Sequence, residues 1–156
     1  MEPVMFEKVL YPTDFSDIAQ TALKTVIELR GAGTKHVVLV RVLNDRYIEY
    51  IQKGIVFAGK DVGAFLVNVC ATLKDEALQK LKPIESALVE SGFTVTVRVE
   101  CGSPHLKILD IAKSENVSAI ILGSHGRSNI SSALLGSVSD HVIRHAACTV
   151  VVVKRD

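Results

Sequence analysis

The stretch Ile120-Ile121-Leu122-Gly123-Ser124-His125-Gly126-Arg127-Ser128-Asn129-Ile130-Ser131-Ser132-Ala133-Leu134-Leu135-Gly136-Ser137-Val138-Ser139 decides how the rest of the chain is read. An apolar run closes on Gly123, Gly126 follows after two residues, nine more lead to Gly136-Ser137, and a helical pattern starts there. Glycines without a Cβ let successive backbone N–H groups face one concavity, and the first-turn amides of the next helix, at the positive end of its dipole, meet the same anion. The stretch therefore reads as an anion cradle between a strand and a helix. Ser137 to Asp140 also has the spacing of a capping box, with Asp140 expected to face away from any anion.

Working outward, the flanking chain supplies the strands and helices such a cradle needs. Residues 6–11 form a short strand ending at Pro12-Thr13-Asp14, and a helix follows with Ser16 as N-cap and Ile18, Ala22, Val26 and Leu29 at helical spacing. His36 to Val42 is a near-continuous β-branched run, the mark of a strand buried on both faces of a parallel sheet. A long helical pattern runs from Ala64 to Leu88, where Pro83 is expected to kink or split it. Thr94 to Glu100 is the third strand. Ser103 and Pro104 open a helix as N-cap and first residue, Val117 to Leu122 is the fourth strand, and Thr149 to Val153 the fifth. The alternation predicts one α/β domain over residues 1–156, an open five-stranded parallel sheet with helices on both faces. Residues 44–63, with Tyr47, Ile48, Tyr50 and Ile51 hinting at a short helix before Gly54 and Gly59, have no assigned role.

Composition narrows the function classes. Lys+Arg number 18 against Asp+Glu 17, so no global field draws the chain to nucleic acid or anionic lipid. The apolar runs have strand length and no membrane-spanning run or leader pattern is present, which predicts a soluble, cytoplasmic protein. Cys70, Cys101 and Cys148 are odd in number and scattered, which suggests reduced core residues and neither a disulfide framework nor a zinc site. His141 and His145 have metal-pair spacing but no evident third ligand, and they read as ordinary helix histidines; His36 and His105 carry no signal. No Gly-x-x-x-x-Gly-Lys-Ser/Thr loop, Gly-x-Ser-x-Gly elbow or Cys-x-x-Cys occurs, so binding is better supported than turnover.

The spacing Gly123-x2-Gly126-x9-Gly136-Ser137 resembles the nucleotide-binding signature of the universal stress protein family, in its ATP-binding branch. That resemblance implies a Rossmann-like sheet of order 3-2-1-4-5, with the ligand crevice between strands one and four. The physical rule that open α/β sheets bind ligands where strand order reverses chooses the same crevice. Residue by residue, the resemblance implies that Gly123, Ser124, His125, Gly126, Arg127, Ser128 and Asn129 form the triphosphate loop. Gly136, Ser137, Val138 and Ser139 form the helix start that adds phosphate donors. Pro12-Thr13-Asp14 closes the other wall with Asp14 at the ribose, and the Val42 backbone reads adenine. Arg127 is placed to neutralise a phosphate or pair with a partner subunit.

ATP, or another adenine nucleotide such as AMP, is the expected ligand, with magnesium or manganese on its phosphates. The alternatives are a slow ATPase or phosphohydrolase, and a ligand-free dimeric interaction module. Thr149 to Val153 would be an unprotected β-branched edge, and family members dimerise through that strand, so a homodimer is expected. Replacing Gly123 and Gly136 by valine is expected to fill the cradle and leave the fold intact.

Overall fold

The computed structural model describes residues 4–46, 48, 49, 53, 54, 62–126 and 134–155, except for the side chains of 62 and 64–66. In chain order the elements are β1 (Lys8–Pro12), α1 (Asp17–Glu28), β2 (His36–Asn44), α2 (Val62–Glu90), β3 (Thr94–Gly102), α3 (Pro104–Ser114), β4 (Ala119–Gly123), α4 (Ser137–His145) and β5 (Thr149–Val153). The five strands form one parallel sheet in the order β3-β2-β1-β4-β5. Strand order thus reverses at β1, whose neighbours are β2 and β4, as the family resemblance implied.

Strand alternation sorts the core into two layers. Val9, Tyr11, Val37, Leu39, Ala119 and Ile121 point to one face and pack on Ala22 and Val26 of α1 and Leu81, Ile84 and Leu88 of α2. Leu10, Val38, Val40, Val42, Ile120 and Leu122 point to the other, against Ile108, Ile111 and Ala112 of α3 and Val142 of α4. A strand whose alternate residues serve two cores must be apolar throughout, which is why β2 shows no polar periodicity. Each fully buried aliphatic side chain contributes roughly 1.5–3 kcal/mol, so these layers fix the sheet and with it the positions of the loops.

Several boundaries differ from the sequence reading. β2 and β3 each run two residues further, to Asn44 and Gly102, because the parallel ladder continues to the Asn44–Gly102 pair. α2 is unbroken through Pro83. Proline removes the N–H that would have met the Gln79 carbonyl, but both residues are exposed, so water can replace that bond. Of the two expected outcomes, a kink or a split, the split does not occur. Ser16 caps α1, its Oγ accepting from the Ala19 amide at 3.4 Å. Ser103 stands at the N-cap of α3 with Pro104 in the first turn, yet its hydroxyl bonds the His105 ring at 3.2 Å in place of the backbone. Of the 44–63 segment, residues 45, 46, 48, 49, 53 and 54 are helical and 62 and 63 open α2, whereas Tyr47, Tyr50, Ile51 and Gly59 lie outside the described residues.

The cysteines are half-buried and free, not fully in the core. Burial pushes the Cys101 thiol up; Lys74 opposes that, and Cys70 shares a hydrogen bond with it.

Candidate functional site

Where the carboxyl ends of β1 and β4 part, the molecule opens into a cavity of about 350 Å³. One wall is the turn after β1. Thr13 leaves the sheet with its amide bonded to the Val40 carbonyl at 2.8 Å, and its hydroxyl accepts from the Phe15 amide at 3.1 Å. Asp14 Oδ1 accepts from the Ser16 amide at 3.0 Å. These bonds hold Phe15 at φ 64°, a left-handed conformation that costs a bulky residue roughly 1–2 kcal/mol. The strain is local, and it fixes the Asp14 carboxylate over the crevice. Beneath it Tyr11 donates to the Ala19 carbonyl at 2.6 Å, and burial pushes its phenol up to about 12, with the Thr13 hydrogen bond working against the shift and the nearby Asp14 charge adding to it.

The opposite wall is the β4–α4 connection. Gly126 shows why glycine stands there: a Cβ would lie 3.0 Å from Asp14 Oδ2, so the two loops touch across the crevice. At Gly136 a Cβ would meet the His125 Cα and the Ser124 carbonyl at 3.3 Å. Gly123 is different, because its Cβ would strike Ile18 of α1 at 3.0 Å, beneath the crevice and not within it. Close approach, and not left-handed backbone, is what these three glycines provide. The expectation that valine at Gly123 and Gly136 fills the cradle with the fold intact is corrected accordingly, since both would displace structural neighbours first.

The amides of the stretch divide into two groups. Those of Ser124 and Gly136 are taken internally, by the Val153 carbonyl and the Ser124 carbonyl, each at 2.8 Å. Those of Ser137, Val138 and Ser139 belong to the first turn of α4, which a helix leaves without an intrahelical acceptor. The N-cap of α4 is Gly136, with no side-chain cap, so Ser137 is the first helical residue and the capping box is out of register. Asp140 faces outward as expected, paired with Arg144 at 3.0 Å. Ser139 Oγ donates to the Gly123 carbonyl at 2.7 Å, tying α4 to the end of β4, so its hydroxyl is structural and only its amide is left for a ligand.

His125 lines the cavity at 8% exposure; its Nδ1 bonds Ser124 Oγ at 2.8 Å, and its Nε2 is buried without a partner among the described residues. A buried nitrogen without a partner costs roughly 1–3 kcal/mol, and a ligand oxygen would remove that cost. With the first-turn amides of α4 as donors beside it, the site suits a group rich in acceptor oxygens.

Of the residues singled out from sequence, Pro12, Thr13, Asp14, Val42, Gly123, His125, Gly126, Gly136, Ser137, Val138 and Ser139 line this one cavity. Ser124 is 3% exposed and turned inward. Arg127, Ser128 and Asn129 lie outside the described residues. Sequence reasoning missed Ala19, Arg41, Asn44, Pro104, Ile108 and Leu122, which complete the wall. Only the last three carried a signal, as apolar or turn residues at the ends of elements. His141 and His145 stack with ring centroids 4.1 Å apart, and the His105 ring meets His141 tilted at 54° and 4.3 Å, so the supposed pair is a trio. The rings lie against each other, and among the described residues no group of three such side chains is placed to hold a metal.

Comparison with known proteins agrees with this architecture. The family model "Universal stress protein family" matches residues 5–154. Universal stress protein MJ0577 of Methanocaldococcus jannaschii is 38% identical over 97% of each chain, and its solved structure superposes with a TM-score of 0.84 at 37% identity, covering 98% of this chain and 99% of that one. A universal stress protein solved with cAMP has the same fold at 18% identity and TM-score 0.63, over 96% and 97% of the two chains. One from Archaeoglobus fulgidus solved with dAMP does so at 21% and 0.59, over 97% and 100%. With the strand order, the crevice and these matches in agreement, the chain belongs to the universal stress protein family.

Proposed function

We infer that this chain is a single-domain regulatory protein that binds an adenine nucleotide, ATP in the first place, in the crevice between β1 and β4. One observation carries the reading: the Asp14 carboxylate and the first turn of α4 face one cavity across Gly126. In this reading the polyphosphate meets the amides of Gly126, Ser137, Val138 and Ser139 and the His125 ring, with Arg127, Ser128 and Asn129 on the same loop. Asp14 accepts hydrogen bonds from the ribose hydroxyls. Val42, Pro104, Ile108 and Leu122 enclose the base, and the Val42 main chain reads its edge. Magnesium or manganese would arrive on the phosphates, because the described residues supply no ligand set of their own. The relatives solved with cAMP and dAMP support an adenine base over other ligands.

A homodimer through β5 goes with the same reading, since β5 is an edge of the sheet and bears Val150 to Val153 half-exposed. A cytoplasmic site of action fits three free thiols.

Thermal denaturation with ATP, AMP and cAMP tests the binding. At one hundred times its dissociation constant a ligand adds about 2.7 kcal/mol, which raises the melting temperature of a domain this size by roughly 5–10 °C. Unchanged melting with every nucleotide, with or without magnesium, would refute the reading. The buried His125 Nε2 favours one second possibility, slow hydrolysis. It predicts steady phosphate release that His125→Gln abolishes even at ATP concentrations that saturate the variant.

A further inference from the structure

Arg41 is a wall residue with no counterpart in the sequence reading. It stands near the carboxyl end of β2, lines the main cavity, and also lines a second one of about 350 Å³ beside it. Its guanidinium carbon lies 5.5 Å from the Phe15 ring centroid, a ring that Lys80 approaches at 5.9 Å. From there one guanidinium N–H donates to the Val42 carbonyl at 3.0 Å.

The direction of that carbonyl gives the contact its meaning. In a parallel strand the N–H and C=O of one residue point to the same neighbour, and alternate residues repeat the direction. The Val40 carbonyl accepts from Thr13 on the β1 side, so the amide groups of Val42 point the same way. β1 pairs with β2 only as far as Pro12–Val40. Val42 therefore presents its carbonyl past the end of β1, at the apolar end of the cavity, and the chain covers it with a side chain from the preceding residue.

We propose that Arg41 sets the base preference of this site by occupying the Val42 carbonyl and offering a donor in its place. The proposal rests on the nucleotide reading above. A 6-aminopurine uses that carbonyl as an acceptor, so it must share it with the guanidinium or displace it. A 6-oxopurine brings an acceptor of its own and gains from the guanidinium where it stands. Arg41 thus weakens ATP binding and narrows its lead over the 6-oxo analogue ITP, and it remains over Phe15 when displaced.

Calorimetric titration of ATP, ITP and tripolyphosphate into the full chain and its R41L and R41M variants tests this, since ATP and ITP carry the same phosphates and charge. With the competing charged hydrogen bond removed, ATP binds about tenfold tighter, ITP binds no tighter, and tripolyphosphate does not gain. Simple electrostatics predicts the opposite sign for ATP, because a cation near an anionic ligand has been lost. R41M keeps an unbranched chain over Phe15, so agreement between the two variants separates the effect from a packing defect, and their melting curves verify the fold. ATP affinity that is unchanged or weaker in both variants, with ATP bound by the wild type, overturns the role of Arg41 and leaves the nucleotide reading standing. If none of the three proteins binds ATP, ITP or tripolyphosphate, the nucleotide reading itself is lost and the proposal with it.

Discussion

Gly123 and Gly126 are three residues apart in one motif, yet alanine at each should do different damage. At Gly123 the new methyl meets Ile18 Cγ1 and Cγ2 at 3.0 Å, in a core where Ile18 is 1% exposed and cannot swing away. Overpacking of that kind costs about 1–3 kcal/mol, which for a chain of this size lowers the melting temperature by roughly 2–12 °C. At Gly126 the methyl meets one atom, Asp14 Oδ2, at 3.0 Å. That atom ends a short side chain at the mouth of a cavity, and a shift of a few tenths of an ångström relieves the clash. The stability loss should stay below about 1 kcal/mol, helped by the reduced unfolded-state freedom of alanine. Binding is another matter, because Asp14 is held by its other oxygen to the Ser16 amide and would leave its position over the crevice. Losing one charge-assisted hydrogen bond to a ligand weakens affinity about tenfold. Urea denaturation and calorimetric ATP titration of both variants measure the two effects separately. Equal destabilisation by the two substitutions, or a Gly123→Ala protein as stable as the parent, would refute the assignment of one glycine to packing and the other to the crevice.

Other outcomes follow from single contacts. Tyr11→Phe removes the buried bond to the Ala19 carbonyl and should cost about 1 kcal/mol in denaturant unfolding. In the parent, phenolate absorption at 295 nm should show Tyr11 ionising only near 12. Because its native pKa is raised, its stabilising contribution is complete below about pH 10 and is lost as pH rises through about 12. His141 has the opposite sign: desolvation and the facing His145 and His105 hold its imidazolium below the ordinary histidine range, with Asp140 opposing them. The native state then binds fewer protons than the unfolded one, so stability falls as pH drops below about 6.5. His141→Gln should flatten the melting temperature measured between about pH 7.5 and about pH 5.5. Ser139→Ala frees α4 from the Gly123 carbonyl, and about 1 kcal/mol of stability should go with it in urea unfolding.

Most of the architecture was legible because its signals are local. The β-branched run of β2, the Pro104 start of α3 and the Ser16 cap of α1 depend on neighbours within a few residues. Pro83 left a kink and a split both open for the same reason: local chemistry says that proline breaks a helix bond, but whether the lost bond ends the helix depends on which face of α2 meets water. The capping box slipped because Gly136, not Ser137, lies at the helix boundary. The histidine trio was invisible, since His105 and His141 sit on different helices and meet only when α3 packs against α4.

By itself the sequence determined the alternation of strands and helices and the glycine spacing that leads the chain from β4 into α4, because periodicity and turn chemistry are written within short windows. The tertiary structure alone decided which of those glycines face the crevice and which face α1. It also laid the Arg41 guanidinium over the Phe15 ring. Such contacts join segments far apart in the chain, and their distances are set by how the layers pack against the sheet, a property that no short window contains.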